Sequence, residues 1–443
     1  MRAPVLHSVM FDPLRRAATP ELKAAIKSLI AFLEQREADL AIRQRARKDA
    51  DRRNFHLAIE AIACNLAGLA LTGLDWPLAV PRSSGVMWSK GRYNVPAYGQ
   101  HFVDALDLMA QPRVGLVEDL SRGYSFAGGH KQRSTIRPTP AFDDRVRPAL
   151  TGWESFLREE EPEVLILKRP KDHSTGRATA IDYPETAHTR SKRKDIRRIN
   201  AILEKAPLRL VMGDSGDIAL TEDGQPIDPT RRAVRRIFNN GNWREGGRLY
   251  DGFWETMRRA DRFRFLRICT PAHPEGERIA NVDFSQLFPT LVYHYAKCRF
   301  RGGDLYDIFG DGSSREGWKK LVNALLFADG PMTRWPEGTS PLFPKGTKLA
   351  DALARVRKVH APISHLFGTA IGFKLMFTES TILIEALGRL NNLGVTALPL
   401  HDSVLVAVSD AAAAKRVMED VFGMFFVDDA RAKLKVDLGE QYQ

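Results

Sequence analysis

The spacing of apolar positions predicts a chain whose architecture changes along its length. Leu22, Ile26, Leu29, Ile30 and Leu33 recur at helical intervals behind Thr19 and Pro20, and helix is expected over residues 20–72. Within that span Arg43 to Arg53 is a dense charge run, the pattern of a solvated face. Phe55 to Leu71 is apolar enough to be a buried helix, ended by Thr72-Gly73. Another helix carries Phe102, Ala105, Leu106 and Met109 on one side. Strand patterns over Val114–Glu118 and Ser134–Thr139 follow, separated by a Gly-rich basic loop from Arg122 to Arg133. Further on, a strand is predicted over Glu163–Lys168 and a helix from Thr186 to Ala206, with Ile196, Ile199, Ile202 and Leu203 turned inward. Asp223-Gly224 marks a hairpin turn. A helix is expected over Pro289–Lys297, a long one over Phe367–Leu393, and a closing helix and strand over Asp410–Phe426 and Lys433–Leu438.

Two apolar runs of strand type each enclose an aspartate. Val282 and Phe284 flank Asp283; Leu398, Leu400, Val404 and Val406 surround Asp402. An acid in such a run is costly to bury unpaired. Two acids brought together by folding repel each other unless a cation lies between them. Either each aspartate ends its strand at the surface, or the two share a hard divalent ion such as Mg2+. Between them, Arg315, Lys319, Asn323 and Phe327 fall at every fourth position of a predicted helix whose opposite face is Leu321, Val322, Leu325 and Leu326. The stripe is either incidental to an amphipathic helix, or a surface for a nucleoside triphosphate: cations for the phosphates, an aromatic for a base or sugar.

Composition narrows the partners. The net charge is +12, an excess that points to a polyanion, most simply nucleic acid, although a basic surface alone also accounts for it. Helix, strand, basic loop and strand over residues 81–145 is the order of a winged helix, in which Arg122, Lys131 and Arg133 of the loop would lie on the DNA backbone; an ordinary small α+β domain with a surface hairpin has the same order. The helix from Thr186 has Arg190, Lys192, Arg193, Lys194, Arg197 and Arg198 on its polar side, which suits either a solvated face or tracking along a duplex. The start of the chain lacks the apolar core of a signal peptide. No run is long enough to span a bilayer. Cys64, Cys269 and Cys298 form no paired metal-ligand pattern. A cytoplasmic protein with reduced cysteines and no membrane association is expected.

Taken in order, Asp283-Phe284-Ser285-Gln286, then Arg315-x3-Lys319-x7-Phe327, then His401-Asp402-Ser403 resemble motifs A, B and C of the family A DNA polymerases and the related single-subunit RNA polymerases. Gly247-Arg248-Leu249 resembles the Gly-Arg-Leu element whose arginine touches the primer–template minor groove. The resemblance covers residues 240 to 443. The chain also resembles polymerase-like proteins of bacterial mobile elements, phages or plasmids.

The resemblance implies an α+β fold: a right-hand palm with an antiparallel sheet and helical fingers, plus a mostly helical N-terminal DNA-binding region. It implies two-metal nucleotidyl transfer on a DNA primer–template with dNTPs. Asp283, Asp402 and the main-chain carbonyl of Phe284 would hold two Mg2+ ions, or Mn2+. Arg315 and Lys319 would bind the phosphates, and Lys319 would protonate the leaving group. Phe327 would stack near the templating position, and Arg248 and His401 would position the primer end.

Several positions depart from the pattern. Phe288 replaces a glutamate that helps exclude the 2′-hydroxyl, Asn323 replaces an aromatic, and Ala328 a glycine. Ser403 is nearer the RNA polymerase form, so NTP use by an RNA polymerase or primase is the first alternative. A non-catalytic replication initiator on the same fold is the second. No Asp-x-Glu triplet precedes residue 240, so no proofreading exonuclease is expected. The resulting plan is a helical region over 1–80, a candidate winged helix over 81–145, a basic thumb-like or linker region over 146–240, and palm and fingers over 241–443.

Overall fold

The computed structural model describes residues 7–88, 91–125, 131–172, 174–211, 218–299, 302–426 and 433–442, apart from the side chains of residues 125 and 131. It is an α+β chain that divides into two units. The first comprises Met1–Glu163, Met212–Ala233 and Asp251–Asp261; the second comprises Val164–Val211, Val234–Tyr250 and Arg262–Gln443. This grouping differs from the plan with boundaries at 80, 145 and 240, because strands remote in sequence pair. Leu208–Leu210, for instance, pairs antiparallel with Leu266–Ile268 across the boundary at 240.

In the first unit a short strand β1 (Val9–Met10) precedes helices α1 (Pro20–Asp39) and α2 (Asp49–Leu69). Thr19 caps α1, its side chain accepting from the Leu22 N–H, with proline in the first turn. Leu22, Ile26, Leu29 and Leu33 pack into one core with Phe55, Ile59 and Ile62. The charge run from Arg43 to Arg53, expected as a solvated face, instead contains the break between the two helices. One of its members, Arg47, is pinned: its guanidinium clasps Glu37 and lies 3.5 Å from the Phe55 ring centroid.

Strand β2 (Leu78–Val80), helix α3 (Gln100–Ala110), β3 (Val117–Ser121) and β4 (Ser134–Pro138) complete a sheet of order β1-β2-β4-β3, parallel only between β1 and β2. The strand expected at Val114 starts at Val117 instead. Residues 111–116 form a turn with Gly115 at φ 62°, which a side chain would strain. The tip of the basic loop, residues 126–130, lies outside the described residues, as does the Lys131 side chain.

The second unit contains β5 (Leu165–Leu167), α4 (Ala187–Lys205), β6 (Leu208–Leu210), β7 (Arg235–Phe238), β8 (Gly246–Tyr250) and β9 (Leu266–Ile268). These are followed by β10 (Glu277–Phe284), α5 (Leu287–Tyr295), α6 (Arg315–Phe327) and α7 (Gly372–Asn392), and then by β11 (Leu398–Leu400), β12 (Ser403–Ala407), α8 (Ala411–Phe425) and β13 (Leu434–Asp437). Its main sheet is antiparallel, in the order β6-β9-β10-β12-β11, with β13 also paired to β10. A smaller sheet orders β8-β7-β5. Helix α7 buries Leu375, Ile382, Leu383, Ala386 and Leu390, and packs against β8 and α8. The approach to β8 is possible because residue 247 is glycine: a Cβ there, at φ 85°, would come within 2.9 Å of the Ser380 Oγ. Among the described residues no helix is long and apolar enough to cross a membrane.

Candidate functional site

The two aspartates meet through strand register. In β10, Ala280, Val282 and Phe284 point into the core, while Asn281 and Asp283 face the other side. Its antiparallel partner β12 sets Ser403 opposite Asp283, so Asp402 is the neighbour of the residue across the ladder. Asp402 is not inside a strand, as the apolar run implied. It sits in the two-residue turn of the β11–β12 hairpin, closed by the Leu400–Ser403 pair, with His401 at φ 58° and the Ser403 hydroxyl donating to the Leu400 carbonyl at 2.9 Å. His-Asp is not one of the usual hairpin dipeptides, so the apolar residues on both sides read as continuous.

Asp402 makes no ion pair with a described residue. Burial pushes its carboxyl above the ordinary value, against the pull of Arg248, its own backbone N–H and Lys319. A carboxylate in that condition fits a cation. Among the described residues no three His, Cys, Asp or Glu side chains cluster. A hard ion such as Mg2+ suits the pair nonetheless, because it takes one or two carboxylates and completes its shell with water and phosphate oxygens.

Arg248 on β8 and Glu379 on α7 form a two-point clamp beside this pair, Nε and Nη2 donating to the two carboxylate oxygens at 2.6 and 2.8 Å. Burial disfavours the guanidinium charge, but Glu379, with Asp402 and Tyr250 beyond, offsets that and holds Arg248 above its usual range. Burial pushes the Glu379 carboxyl up to about 7, with Arg248 opposing. The Glu379 side chain is fully buried and committed to Arg248. Arg248 also lies 5.5 Å from the ring centroid of Phe288, which packs on Phe327 at 5.3 Å. Phe327 in turn meets Phe373 edge-on at 5.3 Å. His401 is exposed, its ring 5.9 Å from that of Tyr250.

Helix α6 shows the stripe as read. Trp318, Leu321, Val322, Leu325 and Leu326 are buried, whereas Lys319 is exposed and Arg315, Asn323 and Phe327 are half-buried. Lys319 acts on the Asp402 carboxyl through space. Arg315 is paired with Asp304 and, at 3.3 Å, with Glu316. Asn323 accepts from the Tyr306 hydroxyl at 3.1 Å, and Arg315 lies 5.7 Å from the Tyr306 ring. Ser285 and Gln286 turn the chain out of β10. The Ser285 N–H donates to the Lys433 carbonyl at 2.7 Å, and Gln286, left-handed at φ 60°, accepts the Leu305 N–H. Buried His360 holds the same loop from behind, contacting the Leu305 carbonyl at 3.0 Å and the Tyr293 hydroxyl at 3.1 Å.

Sequence reasoning missed Asp304 and Tyr306. They stand in an irregular stretch after Gly302-Gly303, where no periodicity marks a side chain.

The remaining candidate cations lie elsewhere. Arg193 on α4 is paired with Glu185 at 3.0 Å and half-buried, while Arg197 is exposed on the same helix. Arg122 and Arg133 are exposed in the first unit, flanking the two-stranded pairing of Tyr124–Ser125 with Lys131–Gln132.

No protein-family model matches the chain. No curated protein matches it either.

Proposed function

We propose that the second unit is a template-dependent nucleotidyltransferase of the family A polymerase type, its antiparallel sheet a polymerase palm, extending a DNA primer with dNTPs and lacking a proofreading exonuclease. The observation that carries this reading is the β10–β12 register, which sets Asp283 beside the Asp402 turn, within the electrostatic reach of Lys319. Asp283, Asp402 and the Phe284 carbonyl would hold two Mg2+ ions, or Mn2+ in their place, which would supply activation of the primer hydroxyl and charge neutralisation on the triphosphate. Lys319 and Arg315 bind the β and γ phosphates, and Lys319 gives its proton to the departing pyrophosphate. Arg248, held rigid by Glu379, positions the primer end together with His401. Phe288, buried under Arg248 and against Phe327, excludes a 2′-hydroxyl by bulk. In the first unit, the hairpin bearing Arg122, Lys131 and Arg133 is assigned to duplex binding as the wing of a winged helix, and Arg193 and Arg197 of α4 to the DNA backbone.

A ribonucleotide-using enzyme, an RNA polymerase or primase, is the second reading. Ser403 favours it: the hydroxyl closes the hairpin turn in a position only 3% exposed, where the longer acid usual in DNA polymerases is missing.

Primer extension decides between them. The protein is incubated with a primed template, Mg2+ and either dNTPs or NTPs, beside an Asp402→Asn variant. Extension with dNTPs that the variant loses is expected. Extension with NTPs alone overturns the sugar assignment. No extension with either set overturns the enzyme reading, and an active variant removes Asp402 from its role.

A further inference from the structure

Away from the carboxylate pair, a cavity of about 360 Å3 opens in the second unit between α4, β7 and α7. None of Asp283, Asp402, Arg315 or Lys319 lines it. One wall is apolar, formed by Ile199, Ile384, Leu387 and Val395; the opposite corner holds Lys192 and Arg236.

That corner carries charge without an ion pair. Arg236 is 3% exposed. Its Nε donates to the Gly247 carbonyl at 2.9 Å, and its Nη2 to the Ser380 and Thr381 hydroxyls at 3.1 and 3.4 Å. All these partners are neutral, and Nη1 has no partner among the described residues. Lys192 is half-buried and makes no ion pair or hydrogen bond with a described residue. The two cations share two aromatic rings: Lys192 lies 5.5 and 4.9 Å from Phe238 and Phe377, and Arg236 lies 5.1 and 5.6 Å from the same two.

The carboxylates at the rim do not neutralise them. Glu385 is paired with Arg389 at 2.9 Å, and Asp195 is exposed without an ion pair. Burial, with Arg236 beside it, pushes Lys192 down to about 8, and burial pushes Arg236 down to about 10, Asp195 opposing in both cases. Two like charges held out of water against rings, with donors still unused, are unfavourable until an anion joins them. Exposed Arg190, Lys194, Arg197 and Arg198 on the same helix draw anions toward the opening.

We propose that this cavity is a binding site for a small organic phosphate, its phosphate group seated on Lys192 and the Arg236 Nη1 and its apolar or flat body lying along Ile199, Ile384, Leu387 and Val395. A phosphate monoester fits better than a strand backbone. Three acceptor oxygens match the unused donors, the cavity volume is that of a small-molecule site, and Arg236 lies too deep for a duplex to reach. The two anchoring cations, Lys192 and Arg236, have no part in the nucleotidyl-transfer reading, so the site stands or falls apart from it.

The test is isothermal titration of the full chain with phenyl phosphate, inorganic phosphate and phenol. Phenyl phosphate is expected to bind at least about tenfold tighter than either fragment, because each supplies only half of the contacts. Two variants locate the site. Lys192→Gln removes a cation that has no structural partner. Gly388→Leu puts a side chain into the cavity from α7, where an added Cβ meets nothing within 4 Å. Both are expected to weaken phenyl phosphate by about tenfold or more, with the melting temperature of Gly388→Leu unchanged or raised. Equal affinity for inorganic phosphate, no binding, or unchanged binding in both variants overturns the proposal.

Discussion

Asp402 is a carboxylate at which activity and stability should move in opposite directions. Replacing it by asparagine keeps the shape of the turn and removes a charge that makes no ion pair with a described residue. Burial raises its folded pKa above the unfolded value of 3.8. A carboxyl raised in this way contributes stability that is complete below the unfolded pKa and is lost as pH rises through the folded one. Wild type and Asp402→Asn are therefore expected to be equally stable near pH 3, with the variant gaining as pH rises. At pH 7 the gain should be about 1 kcal/mol, the scale of an uncompensated buried polar group. That corresponds to about 2–4 °C for a unit of this size.

Added Mg2+ should erase the difference from the other side. At ten times its dissociation constant an ion stabilises the wild type by about 1.4 kcal/mol, and the variant by far less. Primer extension should fall by about a thousandfold, since several kcal/mol of charge stabilisation is lost. Thermal unfolding followed by circular dichroism at both pH values, with EDTA or Mg2+, reads these quantities. A variant less stable than wild type at pH 7, or Mg2+ raising both proteins equally, refutes the reasoning.

Other consequences follow from the same geometry. Lys319→Ala should change stability by less than about 0.5 kcal/mol, because Lys319 is exposed, yet raise the KM for the triphosphate about tenfold or more in steady-state extension assays. Arg248→Lys keeps the charge but replaces the two-point clamp on Glu379 with a single contact. Urea unfolding should show a loss of about 1–2 kcal/mol. Gly247→Ala, at φ 85° and within 2.9 Å of the Ser380 Oγ, should cost about 1–3 kcal/mol in the same assay, while Gly388→Ala, with open space around it, should not destabilise. Deleting residues 122–133 should weaken duplex binding and flatten its salt dependence, as measured by fluorescence anisotropy; unchanged binding removes the hairpin from that role.

Periodicity determined the long elements of this protein. The helix from Thr186 and the helix Arg315–Phe327 stand where apolar spacing puts them, because amphipathic burial is local and a chain of this pattern has few other ways to hide its apolar face. The two aspartates and the cation–amide–aromatic stripe were legible for the same reason: each is an interruption of a regular pattern. What escaped the sequence was whatever depends on partners far along the chain. The turn at His401-Asp402 is set by the Leu400–Ser403 pairing and by the ladder to β10, not by a turn dipeptide. Glu379 and Arg248 find one another across two elements, and Asp304 and Tyr306 reach the stripe from an irregular loop. The cation pair at Arg236 and Lys192 was invisible for a deeper reason. Lys192 reads as part of a basic helix face, and only the packing of α7 and the Phe238 and Phe377 rings brings it beside buried Arg236 with no ion pair to either among the described residues. Charge is written in the sequence, but desolvation and neutralisation exist only once the chain has folded.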